Sequence, residues 1–496
     1  MEHEIAQEHA IRAAKVKRLR ELGINPYAYR FDRTHEIGQV LEQFGSLEAA
    51  KTAVRLAGRL LARREHGKTC FGVLADGSGK IQLYLRRDVV EPQTAPGQEP
   101  KLGFSQFDMF LALDLGDFIG VEGELMVTRT GEKTVLVKEL TFLAKAFRPL
   151  PEKWHGLTDV ELRYRRRYLD LIASPETRAV FRQRARMISL IRQFLDERGF
   201  LEVETPVLQP VYGGAAAAPF QTRYHALEQD MFLRISNELY LKRLIVGGLD
   251  RVYEFAKDFR NEGLDRTHSP EFTQLELYEA YRDYTDMMVL VEELFRMLAQ
   301  ELQGKTKVTF QGKTLDFAAP WHRVEFVPAL TERLGKDPLG LETAELHRLC
   351  QKLEIEVAPD TPRGKLLDKL FSELVQDHIV EPTFVLNHPR ITTPLAKSLR
   401  TNPLLVERFE PVVCGMELGN AFSQLDDPEE QAARFQELIA QHEEYATFDQ
   451  DYITALEYGM PPCGGLGLGI DRMAMLFTDR ATIREVILFP QLRPEA

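Results

Sequence analysis

The stretch Arg251–Tyr281, RVYEFAKDFRNEGLDRTHSPEFTQLELYEAY, decides the fold of its domain. Apolar and polar residues alternate over 251–259 and again over 271–278, which predicts two β-strands joined by a polar loop. Core strands rarely carry charges such as Arg260 and Glu276, because an unpaired buried charge is costly. We therefore expect both to face a ligand, the arginine suiting a carboxylate or phosphate and the glutamate an ammonium group. A surface hairpin stabilised by salt bridges remains the alternative.

Three segments of the chain, in the right order, resemble the motifs of one enzyme family. FRNEG at 259–263 with H-x-P-E-F-T at 268–273 resembles motif 2 of the class II aminoacyl-tRNA synthetases, in the form of the bacterial lysyl-tRNA synthetases. FLDERGFLEVETP at 194–206 resembles motif 1, and GGLGLGIDR at 464–472 resembles motif 3. The resemblance implies an ATP-dependent ligase that attaches lysine to its tRNA through an aminoacyl-adenylate.

The resemblance implies the following ATP contacts. Arg260 and Arg472 are the catalytic residues, the first holding the α-phosphate and the amino-acid carboxylate and the second the γ-phosphate. Glu262 and His268 lie around the ATP, and Phe272, whose ring is flat enough to stack on a base, stacks on adenine. The glycines before Arg472 do not follow a strand in the sequence pattern, so we reject a dinucleotide-binding fingerprint.

The resemblance also implies an amino-acid pocket. Gly214 and Glu238 face the α-amino group. The remaining pocket residues line the substrate side chain: Glu276, Tyr278, Asn420, Phe422 and Gln424.

Three positions depart from the family pattern. Lysyl enzymes carry a glutamate where this chain has Gln424, and that glutamate meets the ε-ammonium of lysine. Ala218 stands where arginine is usual, and His225 replaces an asparagine. An amide accepts a hydrogen bond from an ammonium group but supplies no counter-charge. Gln424 therefore leaves weak lysine binding and a different polar amino acid both open. The alternatives to a lysine ligase are a synthetase paralogue that charges a different amino acid or acceptor and a non-catalytic nucleic-acid-binding relative.

Glu410 and Glu417 flank a predicted turn at Cys414-Gly415. Across such a hairpin the two carboxylates share one face of the sheet, about 5–8 Å apart. They repel each other unless a cation lies between them. Mg²⁺ typically takes one or two carboxylates and the phosphates of a nucleotide, and the resemblance implies that both glutamates hold Mg²⁺ on ATP. The alternative is that one of them pairs with Arg408.

The sequence predicts an α+β protein that divides into four regions. Residues 1–50 predict a helical extension, and residues 51–147 carry five short alternating runs typical of an OB-type barrel that binds oligonucleotides. A loop rich in proline and glycine is expected at 92–103. Residues 148–178 predict a linker. Residues 179–496 predict a class II catalytic domain whose antiparallel sheet is flanked by helices, although its helical part at 339–380 offers no assignable chemistry.

The predicted barrel carries three residues that the resemblance assigns to anticodon recognition, Phe71, Gln82 and Glu132. An aromatic ring can stack on a base, and an amide can read its edge. For Phe71, a place in the barrel core is the alternative. Basic clusters at 12–20 and 163–167 favour contact with tRNA, or are solvated helix faces, in a chain whose net charge is −12.

Composition limits the class of protein. The chain has 496 residues, 44% of them hydrophobic, and no apolar run of about 18 residues, so we expect no membrane span. The charged first residues are not a secretory signal, and the four scattered cysteines indicate reduced thiols. These features favour a cytoplasmic protein, and the resemblance in motif 1 implies a homodimer.

Overall fold

A computed structural model describes residues 2–91, 105–150, 159–318, 320–440 and 446–494. The chain forms two compact units, residues 1–156 and 157–496. The loop expected at 92–103 lies outside the described residues, as does 151–158 within the expected linker. Among the described residues, none of the helices combines the length and apolar character needed to cross a bilayer.

The first unit is a closed five-stranded barrel, with helices before its first strand and between its third and fourth strands. Its strands alternate buried and half-buried residues, as in Thr69–Ala75, because one face of each strand fills the barrel interior. The strand order is β1-β2-β3-β5-β4, which confirms the predicted OB-type barrel. The helices are α1 (Glu2–Glu21), α2 (Ile37–Glu42), α3 (Phe44–Ala49), α4 (Arg87–Val90) and α5 (Gln106–Ala112). The strands are β1 (Val54–His66), β2 (Thr69–Ala75), β3 (Lys80–Arg86), β4 (Phe118–Val127) and β5 (Lys133–Ala144).

The second unit contains the remaining helices and strands. Its helices are α6 (Val160–Arg165), α7 (Arg167–Ala173), α8 (Pro175–Asp196), α9 (Glu238–Val246), α10 (Tyr284–Gln303), α11 (Phe326–Leu334), α12 (Thr343–Lys352), α13 (Arg363–Leu374), α14 (Pro428–Ala440), α15 (Gln450–Glu457) and α16 (Ile470–Thr478). Its strands are β6 (Leu201–Glu202), β7 (Leu208–Gln209), β8 (Phe220–Tyr224), β9 (Gln229–Leu233), β10 (Arg251–Phe259), β11 (Glu271–Ala280), β12 (Lys307–Phe310), β13 (Lys313–Asp316), β14 (His322–Glu325), β15 (Thr383–Leu386), β16 (Ser398–Leu399), β17 (Asn402–Val406), β18 (Arg408–Val413), β19 (Met416–Glu417), β20 (Gly419–Ser423) and β21 (Cys463–Gly469).

A nine-stranded sheet organises the second unit. The strand order is β14-β15-β18-β20-β21-β11-β10-β6, with β19 paired to β18. All neighbours are antiparallel except β14 with β15 and β10 with β6. This largely antiparallel sheet with surrounding helices confirms the predicted α+β class.

The alternation along β11 sets the two faces of the sheet. Leu275 and Leu277 are buried in the main core, which α8, α10 and α16 also fill. Glu276 and Tyr278 therefore lie on the opposite face, because successive side chains of a strand point to opposite sides. The predicted strands at 251–259 and 271–278 are confirmed, and β11 continues to Ala280.

Two local patterns differ from the sequence prediction. In the predicted hairpin around Cys414-Gly415, the second strand is split at Leu418 into β19 and β20, and the Leu418 backbone N–H donates to the Pro411 carbonyl. The glycine-rich run before Asp471 is itself a central strand, β21. Glycine weakens a strand by propensity, so only the pairing with β11 and β20 on either side makes this segment extended.

Candidate functional site

A cavity of about 580 Å³ lies on the polar face of the central strands β11, β20 and β21. Residues from α9, α13 and the loop between β10 and β11 complete its walls. The cavity brings together all but one of the residues predicted for ATP, the amino acid and the metal. Its lining includes Gly214, Glu238, Arg260, Glu262, His268, Phe272, Glu276, Tyr278, Glu417, Asn420, Phe422, Gln424 and Arg472, and Glu410 is the exception.

Glu276 is the hydrogen-bonded carboxylate at one end of the cavity. Its Oε2 accepts from the Tyr278 hydroxyl at 2.9 Å, and its Oε1 accepts from Gln274 Nε2 at 2.8 Å and Ser236 Oγ at 3.3 Å. Burial, followed by the charges of Glu238 and Asp258, raises the pKa of Glu276 well above its usual range. A cationic group that entered this end would favour the ionised carboxylate.

Gln424 is buried against Gly465, which also faces the ring of Tyr278. Its side chain is 1% exposed, and its Oε1 has no hydrogen-bond partner among the described residues. A buried amide oxygen without a partner costs free energy, so this oxygen is available to accept from a ligand.

Glycines on β21 keep this part of the cavity open. A Cβ at Gly465 would collide with Gln424 Nε2 and with the ring of Tyr278, and one at Gly467 would collide with Gln274 Nε2. The floor between the flanking strands is therefore bare backbone, which allows a ligand to approach closely.

Glu238 begins α9 and lies against Gly214, whose φ of +86° suits glycine. A Cβ at Gly214 would lie 2.8 Å from Ser236 Oγ, so a larger residue would disturb the turn. Lys242, one helical turn after Glu238, places its Nζ 2.6 Å from Glu238 Oε1. Burial raises the pKa of Glu238, and the ammonium of Lys242 opposes that rise.

Arg260 follows the end of β10 and projects into the cavity with few protein partners. Its Nε donates to the Ile235 carbonyl at 3.3 Å, and its guanidinium lies 5.1 Å from the centre of the Phe272 ring. Asp258 is buried nearby. Burial raises its pKa to about 6, although the charges of Arg234 and Arg260 oppose that rise.

Arg472 and His268 are joined at the far end of the cavity. Arg472 Nη2 lies 2.9 Å from His268 Nε2, and His268 Nδ1 lies 2.7 Å from Asp265 Oδ2. Arg472 also donates to the Glu417 carbonyl at 2.6 Å. Glu262 and His268 are both exposed on the same loop, so they can meet an incoming ligand.

Glu410 and Glu417 lie on the predicted hairpin, whose turn residues Cys414 and Gly415 both have positive φ. Glu417 lines the cavity, whereas Glu410 bonds to Arg408, the pairing that the sequence left open as the alternative. Burial raises the pKa of Glu410 to about 8, against the effect of Arg408 and with a further contribution from Glu417. Carboxylate oxygens in this setting fit a divalent cation such as Mg²⁺. No group of three or more candidate ligands occurs among the described residues.

In the barrel, Phe71 is half-buried and lies outside the hydrophobic core cluster. Its ring stacks on Tyr84 with centroids 4.7 Å apart. Gln82 lies on the same face of β3 as Tyr84, and its Oε1 accepts a hydrogen bond from Thr134 Oγ1 at 2.8 Å. Glu132 is exposed just before β5. Tyr84 was not singled out from the sequence, because alternation alone assigns a ring to a face but does not show that it stacks.

Other cavity residues were missed for a similar reason. Lys365 and Asp368 of α13 line the cavity, although the sequence gave that helical region no chemistry. Of the positions that depart from the family, Ala218 accepts a hydrogen bond from the Asn261 backbone at 2.8 Å, and His225 is exposed. Lys242 carried a signal in the sequence, a charge four residues after Glu238 within an apolar helix.

Comparison with known proteins bears on both units. Residues 159–493 match the family described as tRNA synthetases class II (D, K and N), and residues 54–143 match the OB-fold nucleic acid binding domain. The lysine–tRNA ligase of Roseiflexus sp. strain RS-1 is 52% identical over 490 residues, covering 97% of this chain and 98% of that protein. The lysine–tRNA ligase of Moorella thermoacetica is 49% identical over 491 residues, covering 98% of both chains. That of Carboxydothermus hydrogenoformans is 47% identical over 500 residues and covers 100% of both.

Proposed function

Because the chain belongs to the class II tRNA synthetases of the D, K and N group, we propose that it attaches lysine to tRNA through an aminoacyl-adenylate. Relatives named lysine–tRNA ligase, similar over nearly the full length of both chains, support this function. The single observation that carries the proposal is the pairing within one cavity of two arginines, Arg260 and Arg472, with the buried carboxylates Glu238 and Glu276.

In the first reaction, a carboxylate oxygen of lysine attacks the α-phosphorus of ATP. A new P–O bond forms, and the bond to pyrophosphate breaks. Arg260 neutralises charge on the α-phosphate and on the attacking carboxylate, and its bidentate fork suits both groups. Phe272 stacks on adenine, while Glu262, His268 and Arg472 hold the remainder of the ATP. Catalysis then consists mostly of positioning and charge stabilisation, without a general base.

Glu410 and Glu417 would hold Mg²⁺ on the ATP. The ion supplies charge neutralisation to the phosphates when it is bound. Glu417 lines the cavity beside Arg472, and Glu410 lies behind it, bonded to Arg408. In the second reaction, a hydroxyl of the tRNA 3′-terminal ribose attacks the carbonyl of the adenylate, and AMP leaves.

The amino-acid end of the cavity accommodates lysine by charge. Gly214 and Glu238 face its α-amino group, and Glu276 and Tyr278 receive its ε-ammonium. The side chain passes the other pocket residues, Asn420, Phe422 and Gln424. Amino-acid-dependent exchange of pyrophosphate into ATP, measured with each of the twenty amino acids, tests the assignment. Lysine should support exchange best, and exchange driven only by a neutral amino acid would contradict it.

Gln424 favours a second candidate, a synthetase for another amino acid, because it supplies no counter-charge. If the pocket takes lysine, Gln424→Glu should lower the lysine KM by about tenfold, equivalent to about 1–2 kcal/mol, since the added carboxylate must also be desolvated. Pyrophosphate exchange at varied lysine measures the change, and the ATP KM serves as the internal control. A flat or raised lysine KM indicates a pocket built around the amide.

Phe71 is the barrel residue that we expect to stack on an anticodon base. Phe71→Ala should weaken tRNA charging by about 1–3 kcal/mol, the contribution of one stacked base, and spare adenylate formation. Charging and pyrophosphate exchange are measured in parallel. Phe71→Tyr, which keeps a ring beside Tyr84, is the matched control and should retain charging. Equal loss of both activities in Phe71→Ala would assign the residue to barrel stability.

We also propose that two copies of the chain associate through the motif 1 region. Apolar side chains are exposed on and beside the short strands that follow α8: Leu201, Val207, Leu208, Val211, Tyr224 and Leu227. Such clustering is typical of a protein–protein interface. Sedimentation at micromolar concentration should give a dimer, and a monomer alone would contradict this proposal.

A further inference from the structure

We propose that Lys242 is a positioning residue for the amino acid, holding Glu238 as an oriented anion that receives the substrate α-amino group. This inference rests on the proposed function, in which Glu238 is that acceptor. Nothing in the family resemblance assigns a role to Lys242. The observations that carry it are the burial of the pair, the geometry of the ion pair and the surroundings of the ammonium.

The pair is removed from water. Lys242 is 0% exposed and Glu238 is 6% exposed. Lys242 Nζ lies 2.6 Å from Glu238 Oε1. The two residues are one turn apart on α9 with the glutamate on the N-terminal side, the order that stabilises a helix. A buried ion pair costs more desolvation than it regains unless its geometry is good, and apolar residues of the same size often stabilise a fold better. Stability alone therefore does not account for this pair.

The surroundings of Lys242 direct its charge to Glu238. Its Nζ lies 5.6 Å from the centre of the Phe422 ring and 5.9 Å from that of Tyr452, and aromatic faces attract a cation. The described residues give it a single ion-pair partner, Glu238. Lys242 is not part of the cavity wall, whereas Glu238 is. The lysine thus acts on a ligand only through the glutamate.

The carboxylate needs this support because of its position. An isolated carboxylate in a buried site takes up a proton, and a protonated Glu238 would offer an ammonium group no counter-charge. Its Oε1 lies 2.6 Å from Lys242 Nζ, and Glu238 itself lines the cavity. The neighbouring Glu276 adds a second negative charge that would further disfavour an ionised Glu238 without Lys242.

The test uses the full-length protein and compares lysine with 6-aminohexanoate, which has the carboxylate and the side-chain ammonium but no α-amino group. Lysine-dependent pyrophosphate exchange gives kcat and the KM values of lysine and ATP. Inhibition of that exchange gives the Ki of 6-aminohexanoate. Lys242→Met removes the charge at similar length, Lys242→Arg keeps it, and Tyr452→Phe is the packing control beside the ammonium.

Lys242→Met should raise the lysine KM by about tenfold or more, the loss of a charge-assisted hydrogen bond, while the Ki of 6-aminohexanoate stays within about twofold. Lys242→Arg should recover part of the loss, and Tyr452→Phe should change neither value. An unchanged lysine KM in Lys242→Met would overturn the inference. A parallel rise in the Ki of 6-aminohexanoate would also overturn it, because it would indicate a collapsed pocket.

Glu238→Gln separates this inference from the proposed function. If Glu238→Gln raises the lysine KM selectively but Lys242→Met does not, the inference fails and the acceptor role of Glu238 stands. If Glu238→Gln affects lysine and 6-aminohexanoate equally, the proposed acceptor role itself fails. Should Lys242→Met fold poorly, the neutral double variant Glu238→Gln/Lys242→Met replaces it. Its lysine KM should equal that of Glu238→Gln alone, and a further rise would overturn the inference.

Discussion

Arg260→Ala is expected to reduce lysine-dependent pyrophosphate exchange by about a thousandfold while changing the melting temperature by less than about 2 °C. Within the part of the chain that the structure describes, the guanidinium donates one hydrogen bond, to the Ile235 carbonyl, and makes one ring contact, with Phe272. Its charge is therefore available to the ligand. Removing the guanidinium should raise the free energy of the transition state for adenylate formation. Steady-state exchange and thermal unfolding of the same preparation measure both quantities.

Arg234 provides the contrasting variant. It is 3% exposed and bonds to Glu254 Oε1 at 2.7 Å and to the Lys257 carbonyl at 2.9 Å. Arg234→Ala should lower the free energy of unfolding by about 3–5 kcal/mol, because it leaves buried carboxylates unpaired. If Arg260→Ala destabilised the fold to a similar degree, a structural ion pair would be preferred over ligand binding as the role of Arg260.

Glu276→Gln is expected to raise the lysine KM by about a hundredfold or more, since removing one partner of a buried charge pair costs about 2–5 kcal/mol. The effect should be large in this chain because Gln424, which also lines the cavity, is neutral. The substitution preserves shape, and the amide can still accept from Tyr278, so a loss of lysine affinity reports on charge. Lysine titration in pyrophosphate exchange measures it.

The control for Glu276→Gln is Glu279→Gln on the same strand. Glu279 bonds to Arg251 at 2.8 Å and does not line the cavity. Both substitutions replace a carboxyl group with an amide, so the lysine KM of Glu279→Gln should stay within about twofold if only local charge matters at this distance. Equal rises in the lysine KM of the two variants would mean that Glu276 acts on lysine through long-range electrostatics and not by direct contact.

Much of the fold was predictable because alternation is a local property. The runs on either side of the polar loop at 260–270 predicted β10 and β11, and the charge of Glu276 within the second run predicted a ligand-facing side chain. The glycines of β21 showed the limit of this reasoning. Local propensity argues against a strand there, and the closeness of Gln424 and Tyr278 to Gly465, and of Gln274 to Gly467, explains why these positions carry no side chain.

The parts of the site that were not predictable depend on contacts between distant segments. Helical periodicity identifies which face of α13 is buried in a core, but it does not show that Lys365 meets strands that follow later in the chain. Likewise, the spacing of Glu410 and Glu417 predicted a hairpin, yet the choice of Arg408 as the partner of Glu410 depends on side-chain packing. The roles of the individual site residues and the exact domain boundaries stay predictions.

The buried carboxylates around the cavity have a consequence for how this fold can change. Both Asp258 oxygens lack hydrogen bonds among the described residues, as does Glu238 Oε1 apart from its ion pair with Lys242. Such groups lower the free energy of unfolding of the empty protein. A sequence selected only for thermostability would replace them with neutral side chains and would lose the ability to bind a cationic amino acid. Substitutions at the cavity that raise the free energy of unfolding would therefore lower activity. Heat-resistant variants that remain active should carry their stabilising substitutions elsewhere.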